Sequence, residues 1–207
     1  MSIKAVTFDY GGVISFKPTP KDEAELEHIT GLSGQRLWEL YQKYRKGLDR
    51  GTYNGPEFFG HIMAEEGIFP GDEVLEKMAQ VDMAGWKRLD PGTTQLMRDI
   101  KTAGILLGVL SNMPHDFLAW ARQNVPVFSE ADRVIFSCEC SLIKPEPAIY
   151  EKLKKTLGCE YAEIVFFDDL TDNISKAREM GILGFVWEGP QEARKILKSF
   201  GKGLAGL

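Results

Sequence analysis

Five short apolar runs set the limits on what this chain can become. Ile3–Phe8, Ile105–Leu110, Val134–Phe136, Ile164–Phe167 and Leu183–Trp187 are rich in β-branched and aromatic residues. They run close to continuously apolar instead of alternating, so neither face of such a strand is built to meet water. Strands of that kind belong in a parallel sheet covered by helices on both sides. Segments with apolar residues at spacings of three and four lie between and after them: Thr93–Ala103, His115–Asn124, Pro147–Leu157, Asn173–Met180 and Gln191–Phe200. Gly104, Gly158 and Gly181 stand where these helices should stop. The alternation predicts an α/β doubly wound fold around a parallel five-stranded sheet.

One stretch breaks the rhythm. From Ser15 to Trp86 no strand pattern is visible, only helix punctuation. Thr19-Pro20 reads as a helix start with Asp22 and Glu23 in its first turn; Ser33 opens Gly34–Leu48; further starts fall near Asn54–Pro56 and near Asp72. The expected organisation is therefore an α/β core of residues 1–16 and 87–207, with an all-helical subdomain of residues 17–86 inserted after the first strand. Trp38, Tyr41, Tyr44, Phe58 and Phe59 are expected to form the core of that insert.

Composition narrows the class. Of 207 residues, 43% are hydrophobic and 27% charged, the balance of a globular chain rather than a disordered or fibrous one. The longest aliphatic run, Ile105–Leu110, is far short of the roughly 20 residues a membrane span needs. A net charge of -5 with scattered Lys and Arg argues against nucleic acid. Cys138, Cys140 and Cys159 lack zinc-like pairing, and no presequence pattern precedes the first run; a reduced, cytoplasmic protein is expected.

In an open α/β sheet, ligands gather at the carboxyl ends of the strands. Those ends carry Asp9-Tyr10-Gly11-Gly12, then Ser111-Asn112, then Ile143-Lys144-Pro145-Glu146, then Asp168-Asp169 with Asn173 beyond. Each piece alone has a structural explanation in a turn or a helix cap. The acid pair is the most informative, because adjacent carboxylates repel unless a cation or hydrogen bonds compensate. Gly11-Gly12 lacks the spacing of a dinucleotide loop. His28, His61 and His115 have no metal-ligand spacing, and His115 reads as a surface residue at a helix start.

In that order the four motifs resemble those of the haloacid dehalogenase superfamily of hydrolases, along essentially the whole chain. Lys144-Pro145-Glu146-Pro147-Ala148-Ile149-Tyr150 and Val165-Phe166-Phe167-Asp168-Asp169 with Asn173 are the most typical phrases. They look most like the branch with bacterial sugar-phosphate phosphatases and the phosphatase domain of soluble epoxide hydrolase. The resemblance implies a helical cap, Asp9 as nucleophile, and Ser111, Asn112 and Lys144 around the transferring group. It also implies a cis Lys144-Pro145 bond and Mg2+ held by Asp9, the Gly11 carbonyl and Asp169, with Asp168 and Asn173 supporting. The substrate would be a small phosphorylated metabolite; oligomeric state is left open.

One position departs from that pattern. Most phosphatases of the superfamily carry a second Asp two residues after the nucleophile, as general acid and then base; here it is Gly11. A non-catalytic binding or regulatory protein is therefore an alternative. A metal-independent 2-haloacid dehalogenase is another, opposed by the acid pair Asp168-Asp169. A phosphoacceptor receiver domain fails on the order of its motifs and on the helical insert.

Overall fold

The computed structural model describes residues 2–201 and 203–206. Five parallel strands form one sheet: β1 (Ala5–Phe8), β2 (Leu106–Ser111), β3 (Arg133–Phe136), β4 (Ile164–Asp168) and β5 (Leu183–Val186). Their order across the sheet is β3-β2-β1-β4-β5. The chain steps outward from β1 to β3, then returns to place β4 on the other side of β1. That reversal opens a crevice at the carboxyl ends of β1 and β4. In register, Phe8 lies between Val109 and Phe167.

Both faces are covered, as continuous apolarity requires. On one face Val6, Phe8, Val109 and Phe167 pack with residues of α5 (Pro91–Thr102) and α11 (Pro190–Ser199). On the other, Ala5, Leu110 and Phe166 pack with α9 (Pro147–Leu157) and α10 (Thr171–Glu179). Strand and helix bounds fall within two residues of the sequence reading. The differences have local causes: Asp90 caps α5 by accepting from the Gly92 and Thr93 amides, so the helix starts at Pro91 instead of Thr93. α6 (His115–Asn124) matches its periodicity, whereas α7 (Pro126–Glu130) and α8 (Ser137–Cys140) are too short to show one. No helix among the described residues is long and apolar enough to cross a membrane.

Between β1 and α5 stand only helices: α1 (Pro20–Thr30), α2 (Gly34–Arg50), α3 (Gly55–Glu65) and α4 (Asp72–Gly85). Capping boxes fix two starts, Thr19 with Asp22 and Asn54 with Glu57. This block has its own apolar cluster, in which Leu37, Leu40, Phe58, Phe59 and Ile62 are at most 2% exposed. Its two connections run side by side, with the Phe16 amide donating to the Arg88 carbonyl (2.8 Å) and Asp90 to Ile14 (2.9 Å). A second fastening lies at the end of α2, where the Asp49 carbonyl accepts from the Ser137 hydroxyl and Arg50 pairs with Glu146.

Candidate active site

Asp9 follows β1 directly and extends its ladder by one residue, its amide donating to the Phe167 carbonyl at 2.9 Å. The next turn curls under it: the Ile14 and Ser15 amides both donate to the Tyr10 carbonyl at 2.9 Å, and the Tyr10 amide donates to Asp9 Oδ1 at 2.7 Å. The left-handed residue of this turn is Gly12, at φ 71°. The conformation calls for glycine, and a Cβ there would also meet Asp169 Oδ2 and Lys17 Cε at 2.8 Å and displace that ion pair. Gly11 is not left-handed. What meets it is the indole of Trp86, 3.2 Å from where a Cβ would sit.

Lys144 ties the two central strands together. Its side chain is 1% exposed, with Nζ 2.8 Å from Asp9 Oδ1 and 2.6 Å from Asp168 Oδ2. The ammonium also lies 5.4 Å from the centre of the Phe166 ring. The Asn112 side chain fixes its backbone, accepting from the Lys144 amide (2.8 Å) and donating to its carbonyl (3.0 Å). The Lys144-Pro145 bond is cis, as the resemblance implies.

Asp168 is fully buried and its carboxylate is well satisfied. Besides Lys144, it accepts from the Leu170 amide (2.9 Å) and from Asn173 Nδ2 (3.0 Å to each oxygen). Asn173 is held in turn by the Tyr150 hydroxyl, which donates to its carbonyl at 2.8 Å. Asp169 pairs with Lys17 at 2.7 Å. Carboxylate oxygens of Asp9, Asp168 and Asp169 lie within 4.8 Å of one another. Burial pushes the Asp9 carboxyl up to about 7, opposed by Lys144 and reinforced by Asp168. Burial also works against the Lys144 ammonium, but the two carboxylates outweigh it and its pKa is raised.

Above this floor opens a cavity of about 660 Å³ between the sheet edge and the helical block. Asp9, Gly11, Asn112, Lys144, Asp169 and Asn173 line it; Ser111 and Asp168 stand behind. Ser111 is buried at the end of β2, its hydroxyl making only a 3.4 Å contact to the Asn112 carbonyl. His115 is exposed at the start of α6 and does not line the cavity. Trp86, Phe117 and Met83 form apolar walls. Trp38 and Tyr41, expected to serve only as core, also face the cavity, because α2 presents one side to α3 and another to the opening.

The sequence reading missed a polar network in the roof. The Tyr41 hydroxyl donates to Asp82 (3.0 and 3.1 Å) and accepts from Arg45 (2.9 Å), and Arg45 pairs with Asp49 at 2.7 Å. Burial raises the pKa of Asp82, with Arg45 and Tyr41 opposing. The available signal was spacing: Tyr41, Arg45 and Asp49 recur every four residues on α2, and Asp82 stands four before Trp86 on α4.

An acid pair and a lysine gather with an aspartate at the switch of a parallel sheet. The chain belongs to the haloacid dehalogenase-like hydrolase family, whose model matches residues 3–181. A phosphatase of Mycobacterium tuberculosis is 26% identical over 218 residues, covering 100% of this chain and 99% of its own. The fold is shared with a family enzyme of Bacteroides thetaiotaomicron solved with magnesium and inorganic phosphate (TM-score 0.73, 21% identity, 91% of this chain and 96% of that one). It is shared also with the L-2-haloacid dehalogenase of Xanthobacter autotrophicus (TM-score 0.67, 21% identity, 97% and 84%).

Proposed function

We propose that this chain is a magnesium-dependent phosphatase of a small organic phosphate, acting through an aspartyl-phosphate on Asp9. The observation that carries the reading is the meeting of three carboxylates within 4.8 Å, with Lys144 bridging only two of them. Asp169 offers a hard oxygen toward the same centre, the donor set a divalent cation takes. Asp9, Asp169 and the Gly11 carbonyl would hold Mg2+, with Asp168 and Asn173 orienting the set. When bound, the ion supplies the positive charge that lets a carboxylate approach a phosphate.

The chain's own residues do the rest. An Asp9 oxygen attacks phosphorus, the bond to the substrate's ester oxygen breaks, and that oxygen takes a proton from solvent. Water then attacks the same phosphorus, the bond to Asp9 breaks, and the carboxylate returns. Lys144 offsets charge on the transferring group, and the Ser111 hydroxyl and Asn112 amide bind its oxygens. The Asn112 side chain serves instead to position Lys144. The helices of residues 17–86 act as a cap that encloses the substrate over the core of residues 1–16 and 87–207.

Gly11 favours a second reading. With Trp86 against it, no carboxyl protonates the leaving group from that position, which suits a binding protein or an enzyme of easy leaving groups. Turnover of an aryl phosphate in Mg2+, lost in chelator, supports the first reading. Chloride release from a 2-haloacid in chelator would replace it with dehalogenation, and phosphate binding without turnover would replace it with the second.

A further inference from the structure

The roof network has no part in the chemistry at Asp9, yet it faces the same space. Three ion pairs reach the cavity: Lys144 with Asp9, Lys17 with Asp169, and Arg45 with Asp49. Two further carboxylates line it outside any ion pair among the described residues, Glu23 and Asp82. Both belong to the helices. Asp82 accepts the Tyr41 hydroxyl, and the Trp86 side chain also helps to hold its charge, against the four or so lone-pair sites of a carboxylate. It stands one turn of α4, about 6 Å, from Trp86, whose indole covers Gly11. Trp86, Phe117 and Asp82 line the same cavity as Asp9, so a substrate with its phosphate on Asp9 has apolar rings and the Asp82 carboxylate within one space.

We propose that Asp82, which accepts from the Tyr41 hydroxyl, reads the far end of the leaving group. The substrate class is a phosphate monoester with an apolar, ring-sized body that ends in a hydroxyl or ammonium and carries no second anionic group. The inference rests on the phosphatase reading. A distal donor fills the open acceptor sites of Asp82. A distal carboxylate or phosphate would face Asp82 and Glu23 with no unpaired cation lining the cavity among the described residues, and must be desolvated against like charge.

Four esters with leaving groups of similar acidity isolate the effect: para-methyl, para-(hydroxymethyl)-, para-(aminomethyl)- and para-(carboxymethyl)phenyl phosphate. In Mg2+, kcat/KM for the hydroxymethyl and aminomethyl esters should exceed that for the carboxymethyl ester about tenfold or more, the scale of a hydrogen bond to a charged group. Asp82→Asn keeps the shape and removes the charge; the aminomethyl-to-carboxymethyl ratio should fall at least about fivefold. Tyr41→Phe, which frees the carboxylate from its hydroxyl, should retain the wild-type charge preference. Equal kcat/KM for all four esters in the wild type overturns the inference while the phosphatase reading stands, and needs no variant to fold. An unchanged ratio in a folded Asp82→Asn protein overturns it too. If even the para-methyl ester is untouched, the phosphatase reading falls and takes this one with it.

Discussion

The floor and the roof of the cavity are both rich in charge, yet they are held in different ways. On the floor, Asp9 and Asp168 sit at strand ends and are fixed by backbone ladders, while Lys144, in the loop before α9, is locked by the Asn112 side chain; all three are nearly or fully buried. In the roof, Tyr41, Arg45 and Asp82 stand on two helices and are positioned mainly by one another. A strand end fixes a group to within the tolerance of covalent chemistry. A pair of helices offers a surface that can be rewritten without disturbing that chemistry.

The largest expected effect tests the floor. Asp9→Asn should lower turnover of an aryl phosphate about 10⁴-fold or more, as loss of a nucleophile does elsewhere; a smaller loss would mean the floor is not where the reaction occurs. The same variant has a second readout. Burial raises the Asp9 carboxyl from 3.8 to about 7. Between those values the folded chain holds a proton that the unfolded chain has released, so this group's contribution to stability declines as pH rises through the window. Denaturant midpoints in chelator should show that decline for wild type and a flatter profile for Asp9→Asn.

Next comes stability. Lys144→Met strands two buried carboxylates and should cost about 3–5 kcal/mol in denaturant melts. Arg45→Met, in the more exposed network, should cost about 1–2 kcal/mol. Equal losses would erase the contrast between the two regions.

A further test lies where they meet. Gly11→Asp forces the Trp86 ring to move and should cost about 1–3 kcal/mol by overpacking. In a Trp86→Ala background that loss should vanish, and turnover of alkyl phosphates should rise about 10²-fold by assistance to the leaving group. No rise would place the proton source elsewhere.

The same contrast explains what could be read from the chain. Asp9, Ser111 and Asp168 were legible because each ends or directly follows a run too apolar to be anything but a buried strand. Lys144 needed its neighbours Pro145 to Tyr150. The roof was not legible, because Tyr41 at helical spacing looks the same whether it packs inward or borders an opening. Only the placement of α2 between its packing on α3 and its hydrogen bond to Asp82 of α4 decides, and no local pattern encodes it. The constraint on Gly11 was not legible for a related reason. Its neighbour Gly12 carries the left-handed turn, while Gly11 is constrained by Trp86, 75 positions later in the chain.

The paired connections, Ser15 bridged to Leu89 and Phe16 bonded to Arg88, have a consequence for how such a chain can change. They bring the two ends of a long excursion to one point, so its length hardly matters to the sheet: halving or doubling a flexible loop alters its closure free energy by only about 0.6 kcal/mol. The helices can therefore be exchanged as a cassette for a shorter or longer one of different lining. The replacement has to restore what the second fastening supplies, a carbonyl opposite the Ser137 hydroxyl and a cation for Glu146. A transplant that meets those two demands should inherit the floor unchanged and bring its own cavity lining with it.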